Sequence, residues 1–180
     1  MSYLDIILSK QWLYLDEVSL EQYTGTIKPK YKLYMGSHSI FEDIRIFLKT
    51  TSKKSVKKDC HIKVNRSDWE NILKDETGNE ILKPDGTFKY LHGTSYLDIT
   101  KTDFLNDTEI SKKSLVNHQF TCVARLPDTK FKELQTKAQN LKNHIMRMSP
   151  KERQDIKEIL GNLLCDDSDI LANTLRTLGL

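Results

Sequence analysis

The chain is 180 residues long, 38% hydrophobic and 29% charged, with a net charge of +3 and a sequence pI near 8.6. That length suffices for one sizeable core, the apolar and aromatic content is too high for a disordered chain, and no apolar run is long enough to cross a bilayer. The opening MSYLDIILSKQW has no basic leader before a long apolar stretch, and Cys60, Cys122 and Cys165 show no CxxC spacing; the expectation is a non-secreted protein with reduced thiols, cytoplasmic or nuclear.

SYLDI occurs at Ser2–Ile6 and again at Ser95–Ile99, but the residues that follow the two copies do not match, so this is not a duplicated unit. The opening stretch reads as the long strand of a sheet. In KPKYKLYMG the alternation of Tyr31, Leu33 and Met35 against Lys32 and Tyr34 predicts a second strand, entered at Pro29 and ended at Gly36. Lys28, Lys30 and Lys32 form a small basic group beside Tyr31 and Tyr34. SHSIFEDIRIFLK then predicts a helix, with Ser39 and Glu42 as a capping box and Ile40, Ile44, Phe47 and Leu48 on one face.

From Lys49 to Arg66 the sequence KTTSKKSVKKDCHIKVNR sets seven basic residues, Lys49, Lys53, Lys54, Lys57, Lys58, Lys63 and Arg66, against the single Asp59. The segment carries +6, which leaves −3 for the rest of the chain. TTSKKSVKK has no apolar period and reads as a loop, while Cys60 to Val64 reads as a short strand. SDWENILK predicts a short helix capped by Ser67 and Glu70 that presents Trp69, Ile72 and Leu73. The Pro-Asp-Gly turn within EILKPDGTFKYL predicts a hairpin from about Ile81 to Leu91. His92 follows it in the polar turn HGTS.

SLVNHQFTCVARLP alternates Val116, His118, Phe120, Cys122, Ala124 and Leu126 on one strand face, so His118 is expected to pack rather than do chemistry. After Pro127 the period lengthens. Phe131, Leu134, Ala138, Leu141, Ile145 and Met148 recur at spacings of 3, 4, 3, 4 and 3, a helical seam like that of a coiled coil. Ser149, Pro150 and Glu152 start another helix that buries Ile156, Ile159, Leu160 and Leu163. CDDSD ends it, and Ile170, Leu171, Leu175 and Leu178 mark a third. The predicted fold class is α+β: a small mixed or antiparallel sheet with short helices, followed by an all-helical C-terminal third. The expected division is an α+β body over 1–126 and a helical subdomain over 127–180, packed on the body or extending from it.

The chemistry-bearing motifs are sparse. No glycine falls into GxGxxG or GxxxxGK[ST], and no serine sits in GxSxG. His118 and Cys122 would lie about 13 Å apart on a strand, and Cys60 and His61 would face opposite ways, so no metal site or cofactor is expected. His92 with Thr94 matches half of a paired HxT phosphoesterase pattern, and the other half is missing.

Positive charge is the stronger signal. Lysines neutralise phosphates and exposed aromatics stack on bases, so the expected partner is nucleic acid, RNA or DNA with weak sequence preference, or an anionic membrane surface. The expected polyanion-binding residues are Lys49, Lys53, Lys54, Lys57, Lys58, Lys63 and Arg66 together with Lys28, Lys30 and Lys32. The seam residues Phe131, Leu134, Leu141, Ile145 and Met148 are expected either to mediate association with a second copy or to pack within the chain against the Ile156 helix, which would consume the same face. The reading is a non-enzymatic binding and assembly protein, of the type of a small viral matrix or nucleocapsid-associated protein. The alternative is a small phosphodiester-processing enzyme, a nuclease or phosphodiesterase, that uses His92.

Overall fold

The computed structural model describes residues 8–20, 25–52, 60–116 and 119–180. Six strands form one sheet: β1 (Trp12–Leu20), β2 (Ile27–Ser37), β3 (Ile44–Thr51), β4 (His61–Val64), β5 (Ser95–Asn106) and β6 (Phe120–Arg125). Their order is β4-β5-β3-β2-β1-β6, every neighbouring pair is antiparallel, and the sheet curls into a half-barrel. The helices are α1 (Asp107–Ser111), α2 (Asp128–Gln139), α3 (Lys142–Ile145), α4 (Pro150–Leu163) and α5 (Ser168–Leu178).

Alternation along the strands sorts the apolar residues onto two faces. Leu13, Leu33, Met35, Ile46, Leu48, Leu97 and Val123 point into the main core, where Phe131, Leu134, Ile156 and Ile159 of the helices meet them. Tyr14, Tyr34, Phe47, Leu105 and Phe120 point the other way and form an aromatic layer with Ile110 of α1. Tyr14 stacks on Phe120, ring centroids 5.3 Å apart, and Phe47 meets both edge-on. Central strands buried on both faces lose the simple apolar-polar alternation of a half-solvated sheet.

That loss explains the first correction. IRIFLK is β3, not the end of a helix begun at Ser39. Ile40, Ile44, Phe47 and Leu48 fit a helical period, but Ile46 and Leu48 face the main core while Phe47 faces the aromatic layer. Ser39 does not cap; its hydroxyl donates to Glu158 Oε1 of α4 at 2.8 Å, and its backbone N–H donates to Oε2 at 3.0 Å. Arg45 is buried and doubly bonded to Asp107, at 2.6 and 2.7 Å, which ties β3 to the start of α1.

The predicted all-helical C-terminal third is corrected as well. The last third opens with β6, which pairs with β1 at the edge of the sheet, and helices are only 32% of the molecule. They are short: α2 ends at Gln139, and only the four-residue α3 follows before the Ser149 cap. The curled sheet organises the chain, and one core runs through both sheet and helices.

Other elements stand closer to expectation. The Ser149–Glu152 capping box is present, with Glu152 Oε2 accepting the Ser149 N–H at 2.8 Å. SDWENILK gives only a 3-10 turn, Arg66–Asp68, boxed by Asn65 and Asp68; Glu70 leaves it to bridge Arg125 of β6. The hairpin around Pro84-Asp85-Gly86 is held by a single bridge, Leu82 to Phe88. The strand expected from Val116 begins at Phe120, because Lys112–Val116 form a π-helical turn after α1. His118 lies outside the described residues.

Gly36 is where α4 meets the sheet. Its φ of 144° lies in a region that favours glycine, and a Cβ there would stand 1.9 Å from Asn162 Oδ1. Asn162 Nδ2 donates to the Ser37 carbonyl at 3.1 Å, so the helix rests directly on backbone.

Candidate functional site

The site begins at a break in the sheet. The β2–β3 register runs from Ser37↔Arg45 to Lys32↔Lys49. Past it β2 stays paired to β1 as far as Leu20↔Ile27, and β3 stays paired to β5 at Thr51↔Tyr96. The two central strands therefore part beyond Lys32 and Lys49, and a cleft of ≈ 580 Å³ opens beside them.

Lys28, Lys30 and Tyr31 of β2 line one side of it, and Thr50, Thr51 and Ser52 line the other. The segment that enters β5 adds His92, Thr94 and Ser95. No carboxylate is among these lining residues. Lys28 and His92 are exposed, whereas Lys30 and Tyr31 are half-buried.

His92 is held there through its neighbour. Leu91 is buried and has a φ of 53°, a left-handed conformation that a non-glycine residue keeps only when its surroundings enforce it. Its side chain fills the main core, and its N–H donates to Tyr31 Oη at 3.2 Å. Burial pushes the Tyr31 hydroxyl pKa up, so it stays protonated across the neutral range. Strand β2 thus positions both the lysines and the turn that carries His92.

The remaining predicted residues divide by environment. Lys49 is half-buried on β3, and Lys63 is exposed on the edge strand β4. Arg66 is engaged locally: its guanidinium bonds Glu80 at 2.9 Å and stands 3.8 Å over the Phe88 ring. Lys53, Lys54, Lys57 and Lys58 lie outside the described residues; in sequence they follow directly on Ser52 of the cleft wall.

Lys32 is a correction. It is 1% exposed, and its Nζ lies 2.6 Å from Asp16 Oδ2 and 2.5 Å from Asp103 Oδ2. Lys113 reaches the same Asp16 oxygen at 2.9 Å. Burial alone would raise the Asp16 pKa, but the hydrogen bonds and charges of Lys32 and Lys113 outweigh it and hold the carboxyl below its ordinary range. Lys32 is the counter-ion of a buried network and has no surface to offer a polyanion. Its place directly before Leu33, Tyr34 and Met35, all buried, is the sequence signal that sets it apart from Lys28 and Lys30.

The association seam is a second correction. Phe131, Leu134, Leu141 and Ile145 are all at most 8% exposed within the chain's own core, and Met148 packs against it. Within the chain this face packs against the sheet and α4.

Sequence reasoning did not foresee the hydroxyl wall of Thr50, Thr51, Thr94 and Ser95. Nothing local marks it, because three strand residues and one turn residue meet only through the β3–β5 pairing. Among the described residues no group of three or more His, Cys, Asp or Glu side chains is placed to hold a metal ion, and no helix is long and apolar enough to cross a membrane. No family model matches the chain, and no curated protein matches it.

Proposed function

We propose that this protein binds nucleic acid at the cleft between β2 and β3, through Lys28 and Lys30 with His92 at its mouth. One observation carries the reading: the parting of the central strands brings together two sequence features about sixty residues apart, the β2 lysines and the His92 turn, in a cleft with no carboxylate among the described residues that line it. A concave basic site raises the local anion concentration and favours a chain that can enter it. A flat lipid headgroup surface would engage lysines spread over a face, so a membrane partner is the less suited of the two polyanions. Lysines 53, 54, 57 and 58 add four charges immediately after the cleft wall in sequence.

The test is a titration of the full chain with fluorescent RNA and DNA oligonucleotides and with phosphatidylserine vesicles at several salt concentrations. Nucleic-acid affinity falls with salt, with a log-log slope of roughly −1.5 if only Lys28 and Lys30 meet single-strand phosphates and steeper if more lysines engage. Binding to vesicles alone overturns the reading.

The presence of His92 in the cleft specifically favours a second reading, phosphodiester cleavage with this imidazole as acid or base. Among the described residues that line the cleft, no carboxylate or second histidine supplies the opposite role. Cleavage of RNA or DNA by the parent and its loss in His92→Ala, assayed with and without divalent metal, would establish that reading instead.

A further inference from the structure

Resting on the nucleic-acid reading, we infer that the cleft takes one or two nucleotides of a single strand and does not admit a duplex. Size argues for it first. A volume of ≈ 580 Å³ is that of a pocket for one small molecule. A duplex keeps its bases stacked between two backbones around a major groove about 12 Å wide, so it could touch the rim only with phosphates.

The wall chemistry argues the same way. Phosphate oxygens only accept hydrogen bonds, and lysine ammonium groups suffice for them. Thr50, Thr51, Thr94 and Ser95 carry hydroxyls; Thr94 Oγ1 donates to Asn65 Oδ1 at 3.3 Å and presents its lone pairs as an acceptor, and a wall of hydroxyl donors and acceptors is matched by a ligand that offers both. The Watson–Crick edge of an unpaired base is such a ligand, and so is a ribose 2′-hydroxyl.

Placement completes the arrangement. Lys28 is exposed at the mouth and Thr50 is 8% exposed at depth, so a strand seated with its phosphates on the lysines directs its base or sugar toward the hydroxyls. The His92 and Tyr31 rings line the same space and offer the flat surfaces on which unpaired bases stack. Tyr31 is fixed by its bond to the Leu91 N–H, so the stacking surface is set before the ligand arrives.

The experiment is fluorescence anisotropy on the full chain with a fluorescein-labelled oligonucleotide of about 12 residues and mixed sequence, as single strand and as duplex, at one ionic strength. The single strand binds at least about tenfold tighter. Thr51→Val and Thr94→Val each weaken it by roughly 3- to 10-fold, the scale of one hydrogen bond, and leave the rim contacts of the duplex unchanged. Both variants keep a β-branched side chain, and melting curves confirm that they fold. A preference for RNA over DNA of the same sequence identifies the 2′-hydroxyl as the group read by the wall; equal affinity identifies the base edge; both support the inference. Equal binding of single strand and duplex, or full single-strand affinity in the two folded variants, overturns it and leaves the nucleic-acid reading standing. If neither form binds at low salt, that reading falls, and this one with it.

Discussion

Tyr31 holds Leu91 by its backbone: the phenol oxygen accepts the Leu91 N–H at 3.2 Å, across sixty residues of sequence. A strand that supplies the cleft lysines thereby also sets the turn that supplies His92. Removing the hydroxyl in Tyr31→Phe leaves a buried N–H in a left-handed residue without its partner, at a cost of about 1–3 kcal/mol. The expected result is a lower melting temperature together with weaker oligonucleotide binding, whereas Tyr34→Phe in the aromatic layer leaves binding unchanged.

The lysines of β2 separate by role. Lys28→Glu with Lys30→Glu keeps the fold, because neither side chain lies in the core, and lowers nucleic-acid affinity at least about tenfold at low salt by reversing two charges at the phosphate path. Lys32→Glu places three carboxylates against one another in a buried site and abolishes cooperative unfolding. Circular dichroism melts of the two variants distinguish these outcomes.

Asp16 makes stability depend on pH. Its folded pKa lies below the unfolded value, so its contribution is fully present above the unfolded pKa near 3.9 and is lost as pH falls through the folded pKa. Lys113 acts at the other end. Burial opposes its charge, but Asp16 and Glu109 overcome this and raise its pKa; its contribution holds below about 10.4 and is lost as pH rises through the folded value. Denaturant midpoints therefore fall on both the acid and the strongly alkaline side. Asp16→Asn lowers neutral-pH stability by about 3–5 kcal/mol, since it leaves Lys32 and Lys113 short of a counter-charge.

Leu134 is fully buried between the sheet and α4. Leu134→Glu should unfold the chain or cost at least about 3 kcal/mol, by cavity and charge burial together. Light scattering of Leu134→Ala, a milder change, should give the same molar mass as the parent, because the side chain faces inward.

How much of this the sequence disclosed depends on how local each signal is. The Ser149–Glu152 box, the Pro at the start of α4 and the strand from Tyr31 to Met35 were readable because the residues that decide them lie within a few positions of one another. Ile40–Leu48 was misread because a strand covered on both faces mimics an amphipathic helix when four residues fall at suitable spacing. Strand β5 was missed, since SYLDITKTDFLN alternates only in part and is held by pairing with β3 and β4. For the site, Lys28, Lys30 and His92 were named from charge and turn context. That they share one cleft follows from a β2–β3 register that ends at Lys32↔Lys49, and no short stretch of sequence encodes where a ladder stops.

Strand β2 has two unlike ends. At Gly36 the backbone lies directly beneath Asn162, so closely that no side chain fits, and the strand is paired with β3 there, while β1 joins it on the other edge at Lys32 and Leu33. Toward Ile27, β1 is its one paired strand among the described residues. Amide hydrogen exchange should therefore grade along this one strand, slowest from Leu33 to Gly36 and faster from Ile27 to Tyr31. The strand is anchored like a zip at its closed end, beneath the helix seated on Gly36, and the cleft lies at its other end.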